Sequence, residues 1–160
     1  MMTSAQVLTV LQEVLAQVEF CFLVTLDPSG YPSARLMQPF TPTAEMTIWL
    51  GTSPASRKVR DIRRDPRVTL AFHSVPAVAY VTLQGRADVV DDLEGRRQHW
   101  REDWRAFFPD GPTGEDYVLL RVVPSRLEML HVTQHITPEP FGLCPAVLLR
   151  VGEQWELSGV

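Results

Sequence analysis

Val7, Leu11, Val14 and Val18, joined by Leu8 and Leu15, recur at helical spacing and predict an amphipathic first helix. Thr3 with Gln6 predicts its capping box. The pattern then changes. "FCFLVTL", Phe20–Leu26, is aromatic and β-branched and predicts a strand. Asp27–Gly30 supplies a hairpin turn, and Tyr31–Phe40 returns as a second strand. A third runs from Met46 to Thr52. Ser53 as N-cap and Pro54 at the first helical position predict a second helix, which stops near Asp65 because Pro66 follows.

Beyond it, Arg67–Phe72 and Ala77–Val90 predict strands, the longer one bent at Gly85. Asp91 with Glu94 predicts a capping box that opens a helix to about Arg105. Phe107–Gly114 reads as a loop. Tyr117–Pro124 and Arg126–Val132 read as two strands broken at Pro124–Ser125. Residues 137–145 suggest an irregular crossing before a last hairpin of Ala146–Val151 and Gln154–Leu157. Six or more strands with a few short helices predict a mainly β (α+β) fold, an antiparallel barrel with peripheral helices. The chain has 160 residues without an internal repeat, which predicts one domain over 1–160.

Composition narrows the function. The formal net charge is −4, so no global basic field recruits nucleic acid; positive charge is local, at Arg57–Arg67 and Arg96–Arg105. No apolar run has the length of a membrane span, and no basic-then-apolar leader opens the chain, so the expectation is a cytoplasmic protein. Cys21 and Cys144 have apolar neighbours and no metal-ligand spacing, and are expected to be buried free thiols. No metal site is expected: His73 and His99 are scattered, and His131 and His135 have helical spacing inside a strand-like stretch. No serine–histidine–acid set can be assembled, and no side chain stands out as catalytic.

"GTSPASRKVRDIRRDP", Gly51–Pro66, carries the chemistry. The first turn of its predicted helix carries Arg57 and Lys58, although a helix N-terminus is already electropositive. One reading is a solvated basic helix with Asp61 pairing Arg57. The other is a phosphate cradle, in which backbone N–H groups, the Ser56 hydroxyl and two cations converge where a strand feeds the helix. The glycines of a Walker loop or a dinucleotide fingerprint are missing.

"TSPASRKVRDIRRDPRVTLAF", with "ARLMQPF" before it and "VTLQGRADVV" after it, resembles the FMN-binding split barrels related to pyridoxamine 5'-phosphate oxidase. "HWREDWRAFFPDGPTGEDYVLLRVVPSRLEML" adds a likeness to the general stress protein group of that family. The resemblance implies FMN as cofactor, a homodimer with the flavin in a shared groove, and a small-molecule redox substrate. By position it implies that Arg35 reaches the flavin or its phosphate. Leu36, Met37 and Gln38 would line the ring. Leu50, Gly51 and Thr52 would form the strand end beside it, and Ser56, Arg57 and Lys58 would hold the phosphate.

Phe40 and Tyr80 stand where the oxidases place lysine and glutamine, and the C-terminal arginine-and-histidine substrate motif is missing. The expectation is a flavin-dependent oxidoreductase other than the vitamin oxidase. A flavin-binding stress or sensor protein, and a deazaflavin or heme in the same groove, stand as alternatives. Trp100 and Trp104, with Phe107 and Phe108 beyond, read either as a wall of the flavin pocket or as a buried helix stripe.

Overall fold

A computed structural model describes residues 2–136 and 144–158. The first helix, α1 (Ser4–Gln17), carries the predicted Thr3–Gln6 capping box in both directions. Val7, Leu11 and Val14 turn one face of α1 into the core. β1 (Cys21–Leu26) and β2 (Pro32–Met37) form the first hairpin. β3 (Ile48–Thr52), α2 (Arg57–Arg64), β4 (Arg67–Ser74) and β5 (Ala79–Val90) follow. α3 (Leu93–Gln98) and a 3-10 turn at Glu102–Ala106 lead to β6 (Val118–His131), β7 (Ala146–Val151) and β8 (Gln154–Leu157).

Every strand pairing is antiparallel. The order β2-β1-β4-β5-β6 continues from one edge of β6 into two branches. Val118–Val122 of β6 pair with β3, and Arg126–Met129 pair with β7. A bridge between Pro39 and Leu50 returns the chain from β3 to the end of β2 and closes the barrel. Leu23, Ile48, Leu50, Leu70, Leu83 and Met129 fill its interior with essentially no exposure. Burial of this apolar surface is the main force holding the strands together. α1 packs across β4, β5, β7 and β8.

Several boundaries differ from expectation. α2 starts three residues later than the sequence suggests: its N-cap is Ser56, and Ser53 instead accepts the Ser56 N–H in a preceding turn. α3 is capped by Asp92, not Asp91, through the Gly95 N–H at 3.0 Å, and ends at Gln98 instead of reaching Arg105. Pro124–Ser125 does not break β6. Gly85 faces Pro124 and Gln84 faces Arg126, so Ser125 is the extra residue of a bulge. A Cβ on Gly85 would collide with the Val123 carbonyl and Pro124 Cα. Bulge and glycine together bend the β5–β6 pair and accommodate a proline that donates no ladder bond. Cys21 is buried as expected, whereas Cys144, expected to be buried, is exposed. The predicted crossing at 137–145 lies outside the described residues, apart from its last two positions. No described helix is long and apolar enough to cross a membrane.

Candidate functional site

β3 alternates its side chains: Ile48, Leu50 and Thr52 face the core, while Trp49 and Gly51 face outward. Outside β3 lies a second apolar cluster. Trp104, Tyr117 and Leu119 form its centre, with Phe40, Trp49, Trp100 and Phe108 around them. Trp100 stands edge-on to Tyr117 at 5.0 Å, and Phe40 edge-on to Trp104 at 5.5 Å. The Trp104 Nε1–H donates to Gln38 Oε1 at 2.8 Å, which ties the 3-10 turn to the residue after β2. Gly51 passes beneath Trp104 and Tyr117 so closely that any Cβ there would clash with both rings.

These elements enclose a groove of about 440 Å³. One wall is Leu36, Met37 and Gln38; the floor is Gly51 and Thr52; Trp104, Phe107 and Phe108 form the other wall. Ser56 and Lys58 close one end. An apolar slot with a polar, cationic end suits a flat aromatic ligand carrying a phosphate. Trp104, Phe107 and Phe108 thus wall the groove, whereas Trp100 stays behind them in the aromatic cluster. Phe20, which also lines the groove, was not singled out by the sequence pattern, because an aromatic ahead of a strand is ordinary core material. Three expected site residues do not line the groove: Leu50 is fully buried on the core face of β3, and Arg35 and Arg57 line a neighbouring cavity.

The cationic end has an unusual balance. The Ser56 hydroxyl is buried, makes no capping bond to α2, and has no hydrogen-bond partner among the described residues. Such an orphaned group costs about 1–3 kcal/mol unless a ligand satisfies it. Lys58 Nζ donates to Thr52 Oγ1 at 3.0 Å. Burial first, then the charges of Arg35 and Arg57, hold its ammonium below the usual lysine range. Arg35 is likewise pushed down by burial; Asp61 pulls it up again, and Arg57 opposes it. Arg35, Arg57 and Lys58 therefore form one repelling set at the start of a helix, where an anion would be stabilised.

Asp61 does not pair with Arg57. Asp61 is 5% exposed and accepts from the Thr25 hydroxyl at 2.8 Å and from Arg64 at 3.2 Å. Arg35 donates to Thr25 Oγ1 at 2.6 Å and lies 3.6 Å from Asp61. This buried Thr25–Asp61 pair holds Arg35 in place, and no sequence signal announced it. Arg57 makes no ion pair with any described residue, so the solvated-helix reading loses its proposed partner. Among the described residues no three His, Cys, Asp or Glu side chains gather as a metal set. His131 is buried, and its Nδ1 accepts from the Gln134 N–H at 3.3 Å, a turn-forming role.

Known proteins share both sequence and fold with this chain. A Ralstonia pickettii pyridoxine/pyridoxamine 5'-phosphate oxidase is 32% identical over 80 residues, 50% of this chain and 37% of that relative. The match therefore spans well under half of the relative's length. A Clostridium acetobutylicum protein related to general stress protein 26 superposes with a TM-score of 0.70 at 19% identity, over 78% of this chain and 87% of its own. A Nostoc punctiforme protein described as pyridoxamine 5'-phosphate oxidase-related and FMN binding gives 0.68 at 14% identity, over 98% and 95%. An F420 reductase gives 0.57 at 21% identity, over 72% and 94%. These structural likenesses carry the fold, a split barrel. The sequence profile of pyridoxamine 5'-phosphate oxidase matches residues 8–131, most of the chain, and the protein belongs to that family.

Proposed function

We propose that the groove binds FMN and that the protein is a flavin-dependent oxidoreductase. The observation that carries this reading is the buried, unpartnered Ser56 hydroxyl beside Lys58, at the end of a slot walled by Leu36, Met37 and Trp104. Ser56 and Lys58 would hold the phosphate, with Arg35 and Arg57, which line a neighbouring cavity, adding positive charge beside it; Leu36, Met37, Gln38, Gly51 and Thr52 would position the ring. Bound flavin supplies hydride acceptance at a ring nitrogen, and the protein supplies orientation and a dry surface. The Nostoc protein's description as FMN binding supports this cofactor.

The shared fold of an F420 reductase favours a second reading, a deazaflavin in the same groove. The absorption of purified protein separates the two, because FMN and a deazaflavin have different ring chromophores and so different visible bands. A Soret band would overturn both.

A homodimer is part of the proposal. Phe22 and Leu36 pair across β1 and β2 on an outward face, 52% and 58% exposed, with Phe20 beside them at 44%. A second copy covering this apolar face would also cover the groove that Leu36 and Phe20 line. Sedimentation of the FMN-loaded protein as a strict monomer would remove it.

Pyridoxamine 5'-phosphate is not the expected substrate. Phe40 is packed in the aromatic cluster under the Arg101 guanidinium, 4.8 Å from its ring centre, and offers no charged donor. Robust oxidation of that compound by FMN-loaded protein would refute the assignment. The reduced thiols Cys21 and Cys144 suit a cytoplasmic setting.

A further inference from the structure

Trp104 belongs both to the groove and to the aromatic cluster behind it. Its ring stands edge to face with that of Trp100, 6.3 Å between centres, and Trp100 is half-buried. Two indoles in contact therefore lead from the groove toward solvent. An indole gives up one electron more readily than most side chains, and its N–H then becomes a strong acid. The oxidised state settles where a base takes that proton. Trp104 Nε1–H meets an amide oxygen, Gln38 Oε1 at 2.8 Å, which is too weak a base. Trp100 Nε1–H meets a carboxylate, Glu102 Oε2 at 2.9 Å. Hydrogen bonds from Arg105 and Trp100 hold Glu102 below the usual carboxylate range, so it is ionised at neutral pH. Guanidinium groups oppose a lingering positive charge on either ring, Arg101 at 5.6 Å from Trp104 and Arg105 at 5.8 Å from Trp100. Of the two indoles, Trp100 alone can shed that charge as a proton. Tyr117, 5.0 Å from Trp100, offers no alternative: it is fully buried, and its hydroxyl donates to the His99 carbonyl, which is no base.

We propose that Trp104 and Trp100 are a one-electron path by which light-excited flavin is reduced from the protein surface, with Glu102 as the proton acceptor. The proposal rests on the reading of the groove as an FMN site. Blue light makes a bound isoalloxazine a strong one-electron oxidant, which its ground state is not. Trp104 gives up the electron, and Trp100 refills Trp104. Trp100 then passes its Nε1 proton to Glu102 and is left as a neutral radical. A thiol at the surface returns a hydrogen atom, one electron with one proton, to Trp100, and Glu102 releases its proton to water. The balance is one electron moved from thiol to flavin and one proton released to solvent. The thiyl radicals of two such events join as a disulfide.

The test uses the full-length protein loaded with FMN, with Trp104→Phe, Trp100→Phe and Glu102→Gln beside wild type. FMN retention is read first, from the flavin absorption that stays with the protein on gel filtration. Emission of the retained flavin should be strongly quenched in wild type and several-fold brighter in Trp104→Phe. It should stay as dim as wild type in Trp100→Phe and Glu102→Gln. After a blue flash, the absorption of a neutral tryptophan radical should appear in wild type, be lost in Trp100→Phe, and be delayed and smaller in Glu102→Gln. Under nitrogen with dithiothreitol, steady blue light should bleach the flavin several-fold more slowly in all three variants than in wild type. Trp100 and Glu102 do not line the groove, so their variants decide the matter where Trp104→Phe loses flavin. Retained flavin whose emission ignores Trp104→Phe, or whose bleaching ignores Trp100→Phe, refutes the path and leaves the groove assignment standing. Failure of every protein, wild type included, to retain FMN removes both.

Discussion

The Lys58 ammonium donates to the Thr52 hydroxyl, so the first turn of α2 is fastened back onto the last residue of β3. That bond fixes the cation in the groove but does not neutralise it. Arg35 and Arg57 make its position worse, because both are cations close enough to depress its proton affinity.

Replacing Arg57 and Lys58 together with alanine should therefore act oppositely in the empty and loaded protein. Each cation at a helix N-terminus costs about 0.3–1 kcal/mol, so the empty variant should melt at or slightly above the wild-type temperature. FMN affinity should fall by about tenfold or more, and riboflavin affinity by much less. Thermal melts with and without FMN, with parallel titrations of both ligands, check this. Equal losses for the two ligands would exclude the cluster as a phosphate site.

Binding should also depend on pH in a way that only the phosphorylated ligand reports. The folded-state pKa of Lys58 is lowered, so charging it disfavours the empty fold at neutral pH, and this cost is relieved as pH rises through the lowered pKa. FMN affinity should fall over that same window, below the ordinary lysine range. It should fall again under about pH 6, where the phosphate takes up its second proton. Riboflavin affinity should be flat across both windows. An FMN profile as flat as riboflavin's would show that Lys58 does not meet the phosphate.

Asp61→Ala should be among the more destabilising single changes. It removes the acceptor for Thr25 and Arg64 and leaves Arg35 without its countercharge. Losing one partner of a buried ion pair costs about 3–5 kcal/mol; the partial exposure of Arg35 and Arg64 places this variant at or below the lower bound. Denaturant titration measures it. A loss indistinguishable from that of a surface Asp110→Ala control would contradict the network.

The two thiols should separate cleanly. Burial pushes the Cys21 thiol up to about 12, while Cys144 is exposed. Native protein should release one equivalent of chromophore quickly with a colorimetric disulfide reagent, and a second only on unfolding. Cys144→Ser should abolish the fast phase.

How much of this was legible in the chain depended on the range of the forces involved. Thr3 and Gln6 form their capping box because both partners lie within one turn, and such local bonds leave a local signature. Ser53 misled for the same reason. Serine followed by proline is a good helix start, yet the chain spends three more residues in a turn before Ser56. Pro124 reads as a break because its partner Gly85 is a strand away. Part of the groove was visible, since Leu36–Gln38, Gly51–Thr52, Ser56 and Lys58 lie in short pieces with a family likeness, whereas Arg35, Leu50 and Arg57 from the same pieces face elsewhere. The Thr25–Asp61–Arg35 set was not, because it joins β1, α2 and β2, and only the barrel brings these together. Cys144 shows the converse error: it is exposed, because an apolar stretch of sequence does not by itself bury a residue.

The Gly85–Pro124 crossing has a genetic consequence. Gly85 is only partly buried, and a ranking of positions by solvent exposure would class it among the tolerant ones. Yet every missense codon at 85 adds a Cβ into the Val123 carbonyl and Pro124, and no side chain elsewhere can compensate for a collision with backbone. In a library of random variants selected for folding, position 85 should be as empty of replacements as Leu83 in the core. Gly152 would differ: nothing surrounds the position its Cβ would take, and only its positive φ restrains substitution. Asparagine, which tolerates that backbone, should therefore survive at 152 and never at 85.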